Sequence, residues 1–243
     1  MIQENQVPVF IENYFKDKSL SFYSFDNCLI SNIIKDKKVW EPHLHKIFEK
    51  YITENSVVIE CGCHIGTHTV VLSSLCSKIY GFEPMPQTHM LLMKNIELNN
   101  IKNAVIYKKG VSNKEGFTKY AWTEHGNIGA SSLDDNPMGK PPNHSYVIDC
   151  RDISSSIELT TVDSMELDKL DFMKIDVEGY ETLVIEGAMN TIIKFKPVIV
   201  MEVWKDHNGN VDLDYTKQLY SNLIDIGYSI EHIEGPDFIC IPN

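Results

Sequence analysis

The stretch Val57–Val71, VVIECGCHIGTHTVV, constrains what this 243-residue chain can fold into more than any other. Val57, Val58 and Ile59 form an apolar run suited to a strand buried on both faces, and the acid Glu60 ends it. Gly62 and Gly66 follow, with the small Cys63 between them, and Thr67–Cys76 reads as a helix. Strand, glycine turn and helix start together make a place where backbone approaches a ligand closely. The spacing is not GxGxxG, and no Gly-Lys-Ser/Thr follows that would make a phosphate loop.

The flanking chain repeats this alternation. Trp40-Glu41-Pro42 introduces a helix over His43–Tyr51, whose apolar positions Leu44, Ile47, Phe48 and Tyr51 have helical spacing. Glu41, His43 and His45 are expected on its solvated side. Lys78–Glu83 is a second strand ending in an acid, and Pro86 opens a helix to about Leu98. Ala104–Lys109 is a third strand, closed by Gly110. The pattern resumes at Asp171–Asp176 with a strand, then a helix or turn-plus-helix over Val177–Asn190, then the strand Pro197–Val203. An amphipathic helix spans Tyr215–Ile226, and two last strands, Tyr228–Ile233 and Phe238–Ile241, are joined by the turn cluster Glu234-Gly235-Pro236-Asp237.

This order predicts an α/β fold: a Rossmann-like, seven-stranded, mostly parallel sheet with helices on both faces and a C-terminal antiparallel strand. We expect a single domain over residues 1–243. Residues 1–52 form an N-terminal cover region with short strands or a hairpin, and 53–243 form a core with a loop insertion at 112–150. Within the insertion, Phe117–Trp122 and Ser145–Asp149 look like strands. The polar, glycine-rich run between them reads as a long loop of the kind used as a lid.

The formal charge of −12 argues against a nucleic-acid groove and fits a small-molecule substrate. No apolar run is long enough to span a membrane, and the first residues lack the blocks of a signal peptide. The six cysteines form no CxxC pair, so neither zinc nor a disulfide framework is indicated, and a reduced, cytoplasmic setting is expected.

Glu60, Glu83 and Asp176 each end a strand. In an open parallel sheet, ligands bind beyond the carboxyl ends of the strands, where the strand order reverses. An acid at the end of the second strand is placed to accept hydrogen bonds from both ribose hydroxyls and repels a 2′-phosphate. The candidates are then a dinucleotide and S-adenosylmethionine. A dinucleotide asks for a further glycine where this chain has His64, and the terminal hairpin also favours the second.

At this point the chain resembles the FkbM-type S-adenosylmethionine-dependent methyltransferases, over roughly Trp40–Trp204. The marks are Glu-x-Gly-x-x-x-Gly at 60–66, Phe82-Glu83-Pro84, Asn95 and Asn99. Leu159-Thr160-Thr161-Val162-Asp163, Lys174-Ile175-Asp176-Val177-Glu178-Gly179-Tyr180-Glu181, Pro197 and Glu202 complete the set. The family opens its turn as Asp-x-Gly-Ala-Asn-x-Gly, so Glu60, Cys63 and His64 are departures. The resemblance implies O-methylation, here of a hydroxyl on a sugar or nucleotide-linked sugar.

The residues then take expected roles. Glu60, Gly62, His64, Gly66, Glu83 and Gly110 bind the cofactor. Asp176, helped by Glu178, accepts the acceptor's proton or orients its hydroxyl, and burial is expected to raise its pKa. Trp122, His125, Asn127 and His144 of the long loop cover the acceptor, with Glu202 and His207 beside them. His125, His144 and His207 are alternative bases. Asp176 and Glu202 are also suited to a divalent ion, but carboxylates alone do not separate a base from a ligand, and no metal is assigned. The rival readings are methyl transfer to another small molecule or a protein, an inactive binding module of the same fold, and a nicotinamide oxidoreductase.

Overall fold

The computed structural model describes residues 7–26, 28–118, 120–124, 127–133, 157–203 and 213–243. Its centre is a seven-stranded sheet in the order β13-β14-β12-β11-β3-β4-β5. The members are β3 (Val57–Cys61), β4 (Lys78–Phe82), β5 (Ala104–Tyr107), β11 (Phe172–Ile175), β12 (Val198–Glu202), β13 (Tyr228–His232) and β14 (Asp237–Pro242). Strands β12, β11, β3, β4 and β5 are parallel, and β14 runs antiparallel to both of its neighbours. The chain winds outward from β3 to β5 in one direction and from β11 to β12 in the other, so the order reverses between β3 and β11. That is where a crevice forms in such sheets.

The all-buried run Phe172–Ile175 shows why these strands lack alternation: both faces are covered. On one face Ile59, Met173, Ile175, Ile199 and Met201 meet Val184, Ile185 and Ile192. These come from α5 (Glu181–Glu186) and α6 (Met189–Phe195), and Leu219 and Leu223 of α7 (Leu213–Asp225) join them. On the other face Val58, Phe172, Val200 and Ile239 meet the N-terminal region and α3 (Thr67–Ser73). Phe48 of α2 (Pro42–Tyr51) packs edge-on against Phe172 at 5.8 Å.

The N-terminal region is a hairpin of β1 (Val9–Phe15) and β2 (Lys18–Phe22), then α1 (Leu29–Lys35) and α2. The asparagines of α4 (Pro86–Leu98) and its cap fasten it. Asn95 accepts from the Tyr23 N–H at 2.7 Å and donates to the carbonyls of Tyr23 and Ile65. Asn99 accepts from the Ser21 N–H and donates to the Ser21 carbonyl at 2.8 Å. Two residues picked out by resemblance thus act as clamps between cover and core. Asp163 is also structural: its carboxylate accepts from the N–H groups of Asn190 and Thr191 and caps the start of α6.

Three expectations are corrected. The segment after Trp122 is not one loop: β8 (Tyr120–Glu124) and β9 (Asn127–Leu133) form an antiparallel hairpin. Strand β9, NIGASSL, is rich in small and polar residues, so its strand signal is weak in the sequence. A second small sheet, β6 (Gly110–Val111), β10 (Ile157–Thr160) and β7 (Gly116–Thr118), stands beside the main one. Thirdly, the stretch 177–190, expected as a helix or a turn plus helix, opens without helix before α5 and then passes into a second helix, α6, because the chain turns at Gly187. A Cβ there would lie 2.0 Å from the Ser112 carbonyl oxygen, so the small sheet's connection needs glycine at that contact. The strand expected at 145–149 lies outside the described residues.

Candidate active site

A cavity of about 240 Å³ opens at the carboxyl ends of the central strands. Following the sheet order, its wall receives Glu83 after β4, Gly62 and His64 after β3, Asp176 and Glu178 after β11, and Glu202 at the end of β12. Gly110 of the small sheet completes the Glu83 end.

The glycine turn shapes the middle. Gly62 has φ +85, and the N–H groups of Gly62 and Cys63 both donate to the Phe82 carbonyl at 3.0 Å. A Cβ on Gly62 would lie 1.7 Å from the carbonyl oxygen of Asp176, so glycine lets the ends of β3 and β11 meet. His64 is also left-handed, at φ 48, and its N–H donates to Glu83 Oε2 at 2.8 Å. The Met85 N–H donates to Glu83 Oε1 at 2.9 Å. Two backbone amides therefore fix the Glu83 carboxylate. Burial nevertheless pushes its pKa up to about 8, with the charges of Asp176 and Glu60 adding to the effect.

A row of ionisable groups crosses one face of the sheet. Register puts Glu60 opposite Lys174, and Glu202 opposite Asp237. The start of α2 sits over this row: His43 Nε2 lies 2.7 Å from Asp237, and His68 Nε2 lies 2.8 Å from Glu41 Oε2. Lys174, 3 % exposed, donates to Asp176 Oδ2 at 2.9 Å. Burial alone would raise the Asp176 carboxyl. The Lys174 ammonium, together with a hydrogen bond to Glu202, outweighs it and holds the pKa below the usual range. That reverses the expectation of a raised Asp176. The raised acid is its neighbour: burial, then the charges of Asp176 and Glu178, push Glu202 well above the usual carboxyl range. Lys174 is shifted up, because Asp176, Glu60 and Glu41 outweigh its desolvation.

Seven of the expected site residues line the cavity together: Gly62, His64, Glu83, Gly110, Asp176, Glu178 and Glu202. Glu60 and Gly66 stand behind the wall. Glu60 turns beneath α3, where its Oε2 accepts from the Thr69 hydroxyl at 2.7 Å and its Oε1 has no partner among the described residues. Burial pushes its pKa up to about 7. Trp122 and Asn127 fall on β8 and β9, whereas His125, His144 and His207 lie outside the described residues. Among the described residues, no group of three His, Cys, Asp or Glu is suited to hold a metal ion.

Several lining residues were not foreseen. Leu29 and Ile30 come from α1, which was not anticipated as a helix, and Ser131 and Leu133 come from β9. Thr88 is 1 % exposed, and its hydroxyl has no partner among the described residues. Trp40 and Glu41 also line the cavity, although Glu41 was expected to face solvent. His45, from the same expected solvated side, is 6 % exposed, and burial lowers its pKa to about 4. The apolar spacing of α2 was legible, but the packing of its first turn depends on His68 and Asp237, which its own sequence does not reveal.

A family model of the methyltransferase FkbM domain matches residues 60–230. No curated protein matches the chain. Among solved structures, the FkbM methyltransferase of Methylobacillus flagellatus KT is 14 % identical, with 87 % of this chain and 53 % of that one covered and a TM-score of 0.51. A protein assigned as an rRNA methylase from Clostridium thermocellum is 10 % identical, covering 82 % and 92 %, with a TM-score of 0.50. A protein assigned as a methyltransferase from Streptococcus mutans, in complex with SAH, is 13 % identical, covering 81 % and 93 %, with a TM-score of 0.49. At such identities the likeness is one of fold.

Proposed function

Because this chain belongs to the FkbM methyltransferase domain family and is an S-adenosylmethionine-dependent methyltransferase, we propose that it methylates a hydroxyl of a sugar or nucleotide-linked sugar. The observation that carries this reading is the lining of the cavity beyond the glycine turn. There Trp40 and Tyr180 supply ring faces, and Glu41, Asp176, Glu178 and Glu202 supply hydrogen-bond acceptors. A polyhydroxylated ring offers apolar C–H faces and many O–H donors, which suits such a lining. The same acidity disfavours a diphosphate at that end, so in a nucleotide sugar the sugar enters first. It also disfavours a nucleic-acid acceptor.

The cofactor's needs are met at the opposite end. Glu83, pinned by two amides, is offered to the ribose hydroxyls, and the orphaned Thr88 hydroxyl fits the polar edge of a base. Gly62, His64 and Gly110 line its path, while Glu60 and Gly66 hold the turn from behind. The bound cofactor supplies an electrophilic methyl carbon. The chain must place the acceptor oxygen against it, exclude water and remove a proton. Asp176, committed to Lys174 and Glu202, is suited to orienting the hydroxyl more than to taking its proton, with Glu178 beside it. The 123–144 segment, with Trp122, His125, Asn127 and His144, is assigned to the acceptor side, and Glu202 and His207 beside it. Residues 1–52 and 53–243 are read as one domain.

A mass-spectrometric screen of sugars and nucleotide sugars for a gain of one methyl group tests the proposal. Methylation of a ribosomal RNA fragment or a protein in place of any sugar would overturn it.

A further inference from the structure

Resting on this reading of hydroxyl methylation, we propose that Glu41 is a catalytic residue. It faces the methyl-transfer point and takes the acceptor's proton, while His68 holds its other oxygen. Glu41 precedes the segment matched by the family model.

Four observations place it there. Glu41 lines the same cavity as Asp176 and Glu202. Its backbone is left-handed, with φ 41 and ψ 59, immediately before Pro42. A side chain other than glycine or asparagine kept in that region marks a position held by its surroundings. His68 Nε2 binds Oε2 at 2.8 Å, and Oε1 has no hydrogen bond to any described residue. Lastly, the rival carboxylates are engaged: Asp176 by Lys174 and Glu202, and Glu202 by Asp176.

The charge states agree with this role. Burial works to raise Glu41, but the hydrogen bond and charge of His68, with Lys174, hold it below its ordinary value, so it is ionised and ready to accept. Burial keeps the His68 imidazole neutral. In the step itself, an oxygen lone pair of the acceptor forms the bond to the methyl carbon, and the carbon–sulfur bond breaks with its electron pair going to sulfur. The hydroxyl proton passes to Glu41 Oε1. The positive charge of the sulfonium and the negative charge of Glu41 are both lost, so the step ends on neutral S-adenosylhomocysteine, the methyl ether and a carboxylic acid.

Calorimetry with two cofactor analogues tests this placement without an acceptor. S-adenosylhomocysteine lacks the methyl, whereas sinefungin carries an amine at its position, which a facing carboxylate binds. Glu41→Gln is expected to leave S-adenosylhomocysteine affinity within about threefold and to lower the preference for sinefungin about tenfold or more. Glu41→Asp should retain part of that preference. An unchanged preference, or equal loss of both ligands, would overturn the proposal. A wild-type chain that binds neither analogue would overturn the underlying reading as well. With the acceptor identified by the screen, Glu41→Gln should lower kcat about 100-fold at unchanged cofactor KM. A kcat within about threefold of wild type would overturn the catalytic role.

Discussion

Glu83 and Gly62 show how two residues in one turn have different reasons to be there. The Glu83 carboxylate is oriented by the N–H groups of His64 and Met85 and opens on the cavity. Burial keeps Glu83 protonated near neutral pH, and losing a buried hydrogen-bonding group costs about 1–3 kcal/mol, so Glu83→Ala should weaken S-adenosylhomocysteine binding about tenfold by calorimetry. Gly62 serves the fold first. Its virtual Cβ, 1.7 Å from the Asp176 carbonyl, and its φ of +85 mean that even Gly62→Ala forces β3 and β11 apart. Denaturant unfolding should show a loss of more than about 2 kcal/mol, with cofactor binding failing as a consequence. The sequence showed that a glycine turn and an acid stood here. It did not show that the glycine answers to a neighbouring strand, because that strand arrives more than a hundred residues later.

At the scale of elements, the parallel core and the N-terminal hairpin were legible, and the remaining additions were not. Strands such as Val57–Cys61 and Phe172–Ile175 are short apolar runs between helices, and their pattern has one economical solution. Helix α1 and hairpin β8–β9 carry no such pattern, since LISNIIK is brief and NIGASSL is built of small residues. Both nevertheless reach the cavity, through Leu29 and Ile30 and through Ser131 and Leu133. What holds the N-terminal elements is chiefly the pair of asparagines at the end of α4. Replacing Asn95 with alanine would leave the Tyr23 N–H and the Ile65 carbonyl without their partner. We expect a cost of about 1–3 kcal/mol, together with faster hydrogen exchange across residues 18–26 that leaves β3 and β11 protected.

For the whole molecule, these buried ionisable groups predict a broad stability maximum between about pH 4.5 and 6.5 in the absence of cofactor, where the carboxyl and histidine contributions offset each other. Glu60 and Glu83 are raised from 4.5 to about 7 and about 8, so between these values the native state holds protons that the unfolded chain has released. Their contribution is complete below about pH 4.5 and is lost as pH rises through 7 and 8. His45 and His64 are lowered from 6.5 to about 4, so the unfolded chain takes up protons first as pH falls below 6.5, and stability is lost on that side. Thermal unfolding from about pH 3.5 to 9 should trace this dome, and Glu83→Gln should flatten its alkaline limb. A melting temperature that climbs steadily to pH 9 would contradict the assignment.

The contact between His43 and Asp237, described above as part of the polar row, spans 194 positions of the chain. The start of α2, with Trp40 and Glu41, is synthesised well before β14, which supplies one of its anchors from 194 positions further on. Contacts of such long range form late because the intervening chain must be ordered first. A growing polypeptide can therefore possess the glycine turn and Glu83 while Trp40 and Glu41 still lack that anchor. Methyl transfer should therefore lag behind cofactor binding as the chain is made, switching on only after the hairpin of β13 and β14 has docked.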